Sequence, residues 1–304
     1  MAINRITLTQ ADKYQTIVYP YFTEQAEVKG SIVVLHGMAE HHERYLGFVE
    51  FMNAAGYDMY LYDHRGHGTD KKFEDLGHFA DDDGWQLVVN DAIAVLDYVR
   101  SNNRGPRLIL FGHSMGSLIA RNVISRYDLM DAAIICGTAY MAPLTARMGL
   151  SLALTVKRFK GPHHYSPFLS SLTTGYKDFA KISNRTAFDW LTRDNNIVGS
   201  YINDPYCGYL CTAAFYCDLI RLTYMAARPK VVKKTRRDLP LFVISGAYDP
   251  VGGYSEGVHK YFSLLQRCGF SDVECSIYDE CRHELLNELN KDEVMNDILK
   301  WIEK

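Results

Sequence analysis

Short, mostly apolar runs alternate along this chain with longer stretches in which apolar residues recur at helical spacing. A short apolar run predicts a buried strand, and a period of three to four residues predicts a helix. Strands that alternate with helices favour a mostly parallel sheet with helices on both faces. The predicted strands are Gln15–Thr23, Ser31–Leu35, Tyr57–Tyr62, Arg107–Phe111, Ala132–Cys136, Leu241–Ser245 and Val273–Tyr278, and the predicted core helices are Asp83–Arg100, Tyr254–Cys268 and Glu284–Glu303.

Residues 140–237 interrupt this alternation. Apolar residues at helical spacing predict a helix over Met141–Lys160, and glycine-proline and serine-proline pairs after it predict loops. The stripe of that helix consists of Leu144, Met148, Leu152 and Val156. No clear pair of strand and helix follows before residue 238. We therefore predict an α/β core made of residues 1–139 and 238–304, with a helical cap inserted late in the sheet at residues 140–237, hereafter the predicted cap.

The charge of the chain divides along the same boundaries. The net charge of −3 excludes a nucleic-acid binder of the usual basic type, and 47% apolar with 23% charged residues excludes a disordered chain. The predicted cap carries 15 Lys and Arg against 5 Asp and no Glu, which makes it +10, and the remaining residues are −13. The basic segment is interpreted either as a solvated insert or as a surface for transient contact with anionic lipid or anionic substrate.

Three features of the sequence bear on its compartment. No apolar run approaches the roughly 18–20 residues that span a bilayer. The first fifteen residues lack the apolar segment of a secretory signal. Seven cysteines, an odd number scattered through a long chain, do not form a disulfide framework. We therefore predict reduced thiols and a cytoplasmic protein.

The most informative motif lies between a predicted strand and a predicted helix, where the chain reads Gly112-His-Ser114-Met-Gly116. Glycines two residues on either side of the serine let a strand and a helix meet closely, and the tight turn lifts the serine hydroxyl clear of the sheet. The N-terminus of the following helix favours developing negative charge. This context predicts that Ser114 is a nucleophile.

A serine hydroxyl needs a base, and the base needs an orienting acid. For a nucleophile in such a turn, the partners follow in the order serine, acid, histidine. Asp249 follows a predicted strand directly, and His283 follows the last predicted strand, so we predict them as acid and base. The alternatives are His259, which falls inside a predicted helix, and the acids Asp279 and Glu280, which lie too near His283 in sequence to face its ring easily.

Acyl transfer also requires N–H donors for the negative charge that develops on the carbonyl oxygen. One donor is expected at the backbone of Met115, directly after the nucleophile. The second is expected at the backbone of Met38, in the loop after the strand that ends at His36-Gly37, hereafter the oxyanion loop. These two amides form the predicted oxyanion hole.

These motifs give the chain a family likeness. It resembles the α/β-hydrolase superfamily and, within it, the lysophospholipase and monoacylglycerol-lipase branch, which shares a sequence family with the serine aminopeptidases. The resemblance implies an eight-stranded, mostly parallel sheet, a cap over the active site, hydrolysis of acyl esters and no cofactor. The matching segments are His36–His41 with Arg44 and Tyr45, Asp63–Gly68, Gly112–Gly116 and Ser245–Asp249, with His283 at the expected place.

Several clusters of polar residues could suggest metal ligands, but each has a plainer interpretation, and we predict no metal. His41 and His42 are expected in a loop and helix start packed beside the oxyanion loop. His64 and His67 are expected in a glycine-rich turn after the strand Tyr57–Tyr62. Cys207, Cys211 and Cys217 lack a second pair with zinc spacing. Asp81–Asp83 are predicted as N-cap and first-turn acids, with a cation site as the alternative. The histidines concerned are His41 and His42, beside Glu40 and Glu43, and His64 and His67, around Asp63.

The sequence thus predicts a serine hydrolase of carboxylic esters that acts through an acyl-enzyme on Ser114. The expected substrate is a small acyl ester or lysolipid, as for a lysophospholipase or monoacylglycerol lipase. The alternative enzyme is an aminopeptidase, which needs an anionic site for the substrate ammonium, and the basic predicted cap disfavours it. From another class, a hydrolase fold that only binds a ligand is the remaining alternative. The oligomeric state is not predicted.

Overall fold

Eight strands form one sheet in the order β1-β2-β4-β3-β5-β6-β7-β8. The structure is a computed structural model and describes residues 5–183 and 185–304. The pairs β1–β2 and β2–β4 are antiparallel, and all other neighbouring pairs are parallel, which confirms the predicted fold class. The strands are β1 Ile6–Thr9, β2 Gln15–Tyr21, β3 Gly30–Leu35, β4 Tyr57–Tyr62, β5 Arg107–His113, β6 Ala132–Cys136, β7 Leu241–Gly246 and β8 Val273–Tyr278.

Helices cover both faces of this sheet. Side chains alternate along β5, so that Leu108 and Leu110 face one apolar cluster while Ile109 and Phe111 face the other. The first cluster includes residues of α2, α3 and α9, and the second includes residues of α1 and α10. These helices are α1 Leu46–Ala54, α2 Gly84–Asn102, α3 Met115–Val123, α9 Glu256–Arg267 and α10 Lys291–Ile302.

The predicted cap contains helices between β6 and β7. Among its described residues no strand occurs, and the β-pairing is limited to an isolated antiparallel bridge between Tyr165 and Thr212. The longest of these helices, α4, packs against α7, which in turn packs on the core helices α2 and α3. Residues 1–4 of the predicted core and Asn184 of the predicted cap lie outside the described residues. The helices are α4 Pro143–Lys160, α5 Pro167–Thr174, α6 Asn195–Asn203, α7 Ala213–Ala226 and α8 Pro229–Val232.

The structure corrects three local predictions. The sequence pattern did not predict strand β1, because β1 is a four-residue edge strand with alternate residues exposed. The last helix begins at Lys291 and not near Glu284, because Glu284 and Glu288 turn inward to bind arginines. Asp83 precedes α2 in a left-handed conformation, and its side chain makes no capping hydrogen bond. In the part of the chain that the structure describes, no helix is both long and apolar enough to cross a membrane.

Candidate active site

Ser114 occupies a strained turn between β5 and α3. Its φ of 55° and ψ of −119° lie outside the regions that most residues favour, and its N–H donates to the carbonyl oxygen of Cys136 at 2.9 Å. A Cβ atom at Gly116 would overlap the carbonyl oxygen of Leu35, and one at Gly112 would lie 2.6 Å from the carbonyl oxygen of Gly116. The turn therefore requires both glycines, as the motif predicts.

The structure brings His283 against Asp249. Asp249 follows the carboxyl end of β7, and His283 lies in the loop after β8, so both reach the edge of the sheet where β5 ends at the serine. His283 Nδ1 lies 3.0 Å from Asp249 Oδ2, and both residues are buried. The same carboxylate accepts the N–H of Val251 at 2.8 Å and the hydroxyl of Ser245 at 3.3 Å. With Nδ1 on the carboxylate, Nε2 is the ring nitrogen on the opposite side.

Burial and the neighbouring charge shift the pKa values of His283 and Asp249 in opposite directions. Burial opposes a charge on the imidazole, but the Asp249 carboxylate outweighs it and raises the pKa of His283 above its ordinary value of 6.5. Burial likewise opposes the carboxylate, but attraction to His283 and its hydrogen bonds hold the pKa of Asp249 below 3.8. The Asp249 carboxylate is therefore charged at neutral pH and favours protonation of the imidazole.

Four of the five predicted site residues line one cavity of about 220 Å³. Ser114, His283, Met38 and Met115 line it, and Asp249 lies behind His283. Met115 is the first residue of α3, and helix geometry leaves the N–H of that residue without an intrahelical partner. All five predicted site residues thus converge on one place. Apolar side chains extend the cavity, namely Leu118, Met141, Leu172, Leu219, Ile220 and Val251.

Two aromatic neighbours of His283 were not predicted. The His113 ring lies 4.6 Å from the His283 ring and the Trp190 ring lies 5.1 Å from it, measured between centroids. Burial, aided by His283, lowers the pKa of His113 to about 4, so this ring stays neutral. The backbone N–H of His283 donates to the carbonyl oxygen of Trp190 at 3.3 Å, and the N–H of Glu284 donates to that of Leu191 at 2.7 Å. No local pattern marks Trp190, because its contact joins the predicted cap to a distant loop.

A buried ion cluster links the oxyanion loop to the loop of His283. Glu40 accepts the N–H of Gly37 and, at 2.8 Å, the hydroxyl of Tyr45. Arg44 donates to Glu40 at 2.6 Å and to Glu284 at 2.7 Å. Glu40, Arg44 and Tyr45 all belong to the motif that begins at His36, so the sequence contained a signal for three of these residues. Glu284 completes the cluster only through the fold.

Replacing Arg44 with methionine is expected to destabilise the protein by about 3–5 kcal/mol, because it leaves two buried carboxylates without their cation. The measurement is the free energy of unfolding in urea. The matched control is Arg5→Met, since Arg5 pairs with Asp70 at the surface with its side chain 60% exposed. An exposed pair contributes about 1 kcal/mol or less. Equal losses for the two variants would contradict a structural role for the buried cluster.

Three of the histidines named for this region, His42, His64 and His67, make hydrogen bonds to other protein groups. His42 Nδ1 lies 2.8 Å from an oxygen of Asp63, whose other oxygen accepts the His42 N–H at 2.8 Å. The N–H of His64 donates to His36 Nε2 at 3.0 Å. Burial lowers the pKa of His64 to about 3 and that of His67 to about 4. The His64 and His67 rings are therefore neutral.

Comparisons with known proteins find similar sequences and structures over most of this chain. A family model described as "Hydrolase_4: Serine aminopeptidase, S33" matches residues 26–290. The chain is 28% identical over 294 residues to a monoacylglycerol lipase of Mycolicibacterium smegmatis, covering 94% of this chain and 92% of that protein. It is 22% identical over 293 residues to a probable lysophospholipase L2 of Haemophilus influenzae, covering 95% and 86%. A thermostable carboxyl esterase from Bacillus coagulans, solved with glycerol, aligns with a TM-score of 0.89 at 26% identity, covering 100% of this chain and 98% of that one.

Proposed function

Because the chain belongs to the serine aminopeptidase S33 family, in the monoacylglycerol-lipase-like branch of the α/β-hydrolases, and is a carboxylic-ester hydrolase, we propose that it cleaves esters of monoacylated lipids. The observation that carries this proposal is the apolar lining of the cavity beside Ser114. A lining of this kind accepts an acyl chain, and about 220 Å³ is small for a ligand site, which favours one chain over several. Monoacylglycerols and lysophospholipids are the matching substrates.

In the proposed mechanism Ser114 attacks the ester carbonyl while His283 Nε2 accepts the serine proton. Asp249 fixes the imidazole tautomer and stabilises the imidazolium that forms. The N–H groups of Met38 and Met115 hold the oxyanion. His283 then protonates the leaving alcohol, which leaves an acyl-enzyme on Ser114. Water that gives its proton to His283 attacks the acyl carbonyl, and the fatty acid leaves as Ser114 recovers its proton.

The carboxylates of the cavity argue against the aminopeptidase alternative. An aminopeptidase needs a free carboxylate for the substrate ammonium. The acids among the described residues that line the cavity are Glu40 and Glu284, and both are buried and already hydrogen-bonded to Arg44, so neither is a free carboxylate. None of the aspartates of the predicted cap lines it. The other alternative is a protein that only binds a ligand. Ligand binding does not require Ser114 in a strained turn or the pairing of His283 with Asp249, whereas ester hydrolysis uses both.

Acyl-chain preference tests the proposal. We expect kcat/KM for p-nitrophenyl esters to rise from acetyl to medium or long acyl chains, with monoacylglycerol or lysophospholipid hydrolysed and aminoacyl amides left intact. Narrowing the cavity with Leu219→Phe should shift the preference to shorter chains. The control, Leu129→Phe, changes an exposed leucine that does not line the cavity and should leave the preference unchanged. Efficient cleavage of aminoacyl amides without any chain-length preference would overturn the lipid assignment.

The activity is expected to fall at acidic pH with an apparent pKa above 6.5. The base must be neutral, and the pKa of His283 is raised, so protonation removes the base as pH drops through that value. His113 does not contribute to this limb, since its pKa is about 4. The measurement is kcat/KM against pH with an uncharged ester. An acid limb below 6.5 would contradict the coupling of His283 to Asp249.

We also propose that the predicted cap, residues 140–237, covers the cavity and touches lipid surfaces transiently. On α4, Leu144, Met148 and Leu152 lie on one face and are 70%, 66% and 40% exposed. Val156, the fourth member of the predicted stripe, packs instead against the core. An exposed apolar stripe on a segment of charge +10 fits a membrane rich in anionic lipid.

Sedimentation with vesicles tests this contact. Binding should be stronger to phosphatidylcholine vesicles that contain phosphatidylglycerol than to phosphatidylcholine alone, and it should weaken with salt. Met148→Ser should reduce it. The control is Leu289→Ser, which removes an equally exposed apolar residue, also 66%, outside the predicted cap. Equal vesicle binding by both variants would show that α4 does not make the lipid contact.

The cytoplasm remains the proposed compartment. All seven cysteines have free thiols in the structure, and six of them are buried. Such thiols persist most readily in a reducing environment. Fractionation of the source cells with detection of the native protein would test this assignment, and recovery outside the cytoplasm would overturn it.

A further inference from the structure

Two histidines and an aspartate meet where the predicted cap contacts the core. His78 and Asp81 lie in the core loop before α2, and His163 lies in the loop between α4 and α5. Asp81 Oδ1 is 2.9 Å from His163 Nε2 and 3.3 Å from His78 Nε2. The two rings stack with centroids 4.1 Å apart. We propose that these three side chains form a divalent-cation site of the zinc type that fastens the predicted cap to the core.

The separations suit a small cation. One potential ligand atom from each residue lies within 4.8 Å of the other two. Zinc binds imidazole nitrogen and carboxylate oxygen at about 2.0–2.2 Å, so tetrahedral ligands lie about 3.3 Å from one another. The two histidine rings would have to rotate out of their stacked arrangement to direct both Nε2 lone pairs at one cation. Two imidazoles and a carboxylate match zinc and similar transition metals better than magnesium or calcium, which prefer oxygen ligands.

The surroundings of His78 orient it for this role. Its Nδ1 lies 3.0 Å from the hydroxyl of Thr212, the residue that caps α7. A hydrogen bond at one ring nitrogen commonly fixes which nitrogen faces a metal, and here Nε2 faces Asp81. His78 is largely buried, whereas the side chains of Asp81 and His163 are 59% and 68% exposed. The cation therefore has a path of entry and room for water as a fourth ligand.

The loop that carries His163 is already attached both to α7 of the predicted cap and to the core. The carbonyl oxygen of the next residue, His164, accepts the N–H of Ala213 at 2.8 Å. The Tyr165 hydroxyl donates to the carbonyl oxygens of Glu74 and Leu76 at 3.0 and 3.2 Å. These contacts hold the loop of His163 beside the loop of His78 in the absence of metal, so binding a cation orders little additional backbone.

A nearby cation does not block the site. Lys157 of α4 approaches the same loop, but its ammonium donates to Asp82 Oδ1 at 2.6 Å and to the carbonyl oxygen of Asp81. Its charge is thus directed to the neighbouring carboxylate, and the side chain of Asp81 stays with the two histidines. None of the three proposed ligands lines the catalytic cavity, so the cation would act on the attachment of the predicted cap and not on the reacting ester.

A second group of possible ligands, His41, Asp204 and Cys207, fits a metal less well. One carboxylate oxygen of Asp204 already accepts the backbone N–H of Tyr206 at 2.8 Å. Burial raises the pKa of the Cys207 thiol, whereas a metal requires the thiolate. Among the described residues, the His78 group is therefore the better cation site.

Calorimetric titration of the chelator-treated full chain with zinc chloride at neutral pH tests the proposal. We expect one saturable site, with affinity at least about tenfold weaker in His163→Asn, since even indirect supports of a metal commonly contribute that much. His163 is exposed, so this variant should fold normally. The matched control is His259→Asn, an exposed histidine on α9 outside the cluster, which should bind zinc like the original chain.

A second measurement separates binding to the folded site from adventitious binding. Zinc should raise the melting temperature of the original chain and of His259→Asn, but not of His163→Asn or His78→Gln, because only a ligand that prefers the folded state stabilises it. Absence of saturable binding would overturn the proposal. Equal affinity in the His163 and His259 variants, or loss of binding in Cys207→Ser alone, would overturn it as well.

Discussion

Replacing Ser114 with alanine is expected to lower kcat by a factor on the order of 10⁶. The proposed acyl-enzyme forms through the serine oxygen, and alanine offers no atom for that bond. The folded state should survive, because the strain of the turn resides in its backbone and Gly112 and Gly116, which permit it, are unchanged. The measurement is hydrolysis of a p-nitrophenyl ester together with covalent labelling by a fluorophosphonate.

The control for this variant is Ser101→Ala, an exposed serine at the end of α2. It should retain both hydrolysis and labelling. Mass spectrometry of the labelled original chain should find the adduct on Ser114. Esterase activity retained by Ser114→Ala would refute the nucleophile, and failure of the original chain to label at pH near neutrality would refute the enzymatic mechanism.

Replacing Asp249 with asparagine is expected to lower kcat by a factor of about 10⁴. The carboxylate oxygen 3.0 Å from His283 Nδ1 fixes the proton on that nitrogen and leaves Nε2 free to accept the serine proton. An amide that turns its NH₂ group toward the ring would favour the other tautomer. It would also remove the charge that raises the pKa of His283, so the residual activity should persist to lower pH.

Asp279→Asn is the matched control for this variant. Asp279 lies nearer to His283 in sequence than Asp249 does, but it is exposed. The control variant should keep the activity and pH profile of the original chain. A larger loss of activity in Asp279→Asn than in Asp249→Asn would show that Asp279, and not Asp249, orients His283.

The strands and the turn at Ser114 could be predicted from the sequence because their signals are local. A buried parallel strand needs a short apolar run, and the turn needs glycines within two residues of the serine. Asp249 and His283 required only the order of motifs along the chain. The start of the last helix was predicted wrongly because it depends on contacts that are not local in sequence. Its first predicted turn, from Glu284 to Glu288, is occupied by carboxylates that bind distant arginines.

The sequence by itself therefore predicted seven of the eight strands, the proposed nucleophile with its two partners, and the charge of the predicted cap. The tertiary structure alone decided which acids of the cavity are paired with an arginine, since Arg44 meets Glu284 across 240 positions of the chain. It alone placed Trp190 on His283 and brought His163 to His78 and Asp81. Such contacts leave no periodicity or spacing in the sequence, because they depend on how separately formed elements pack together.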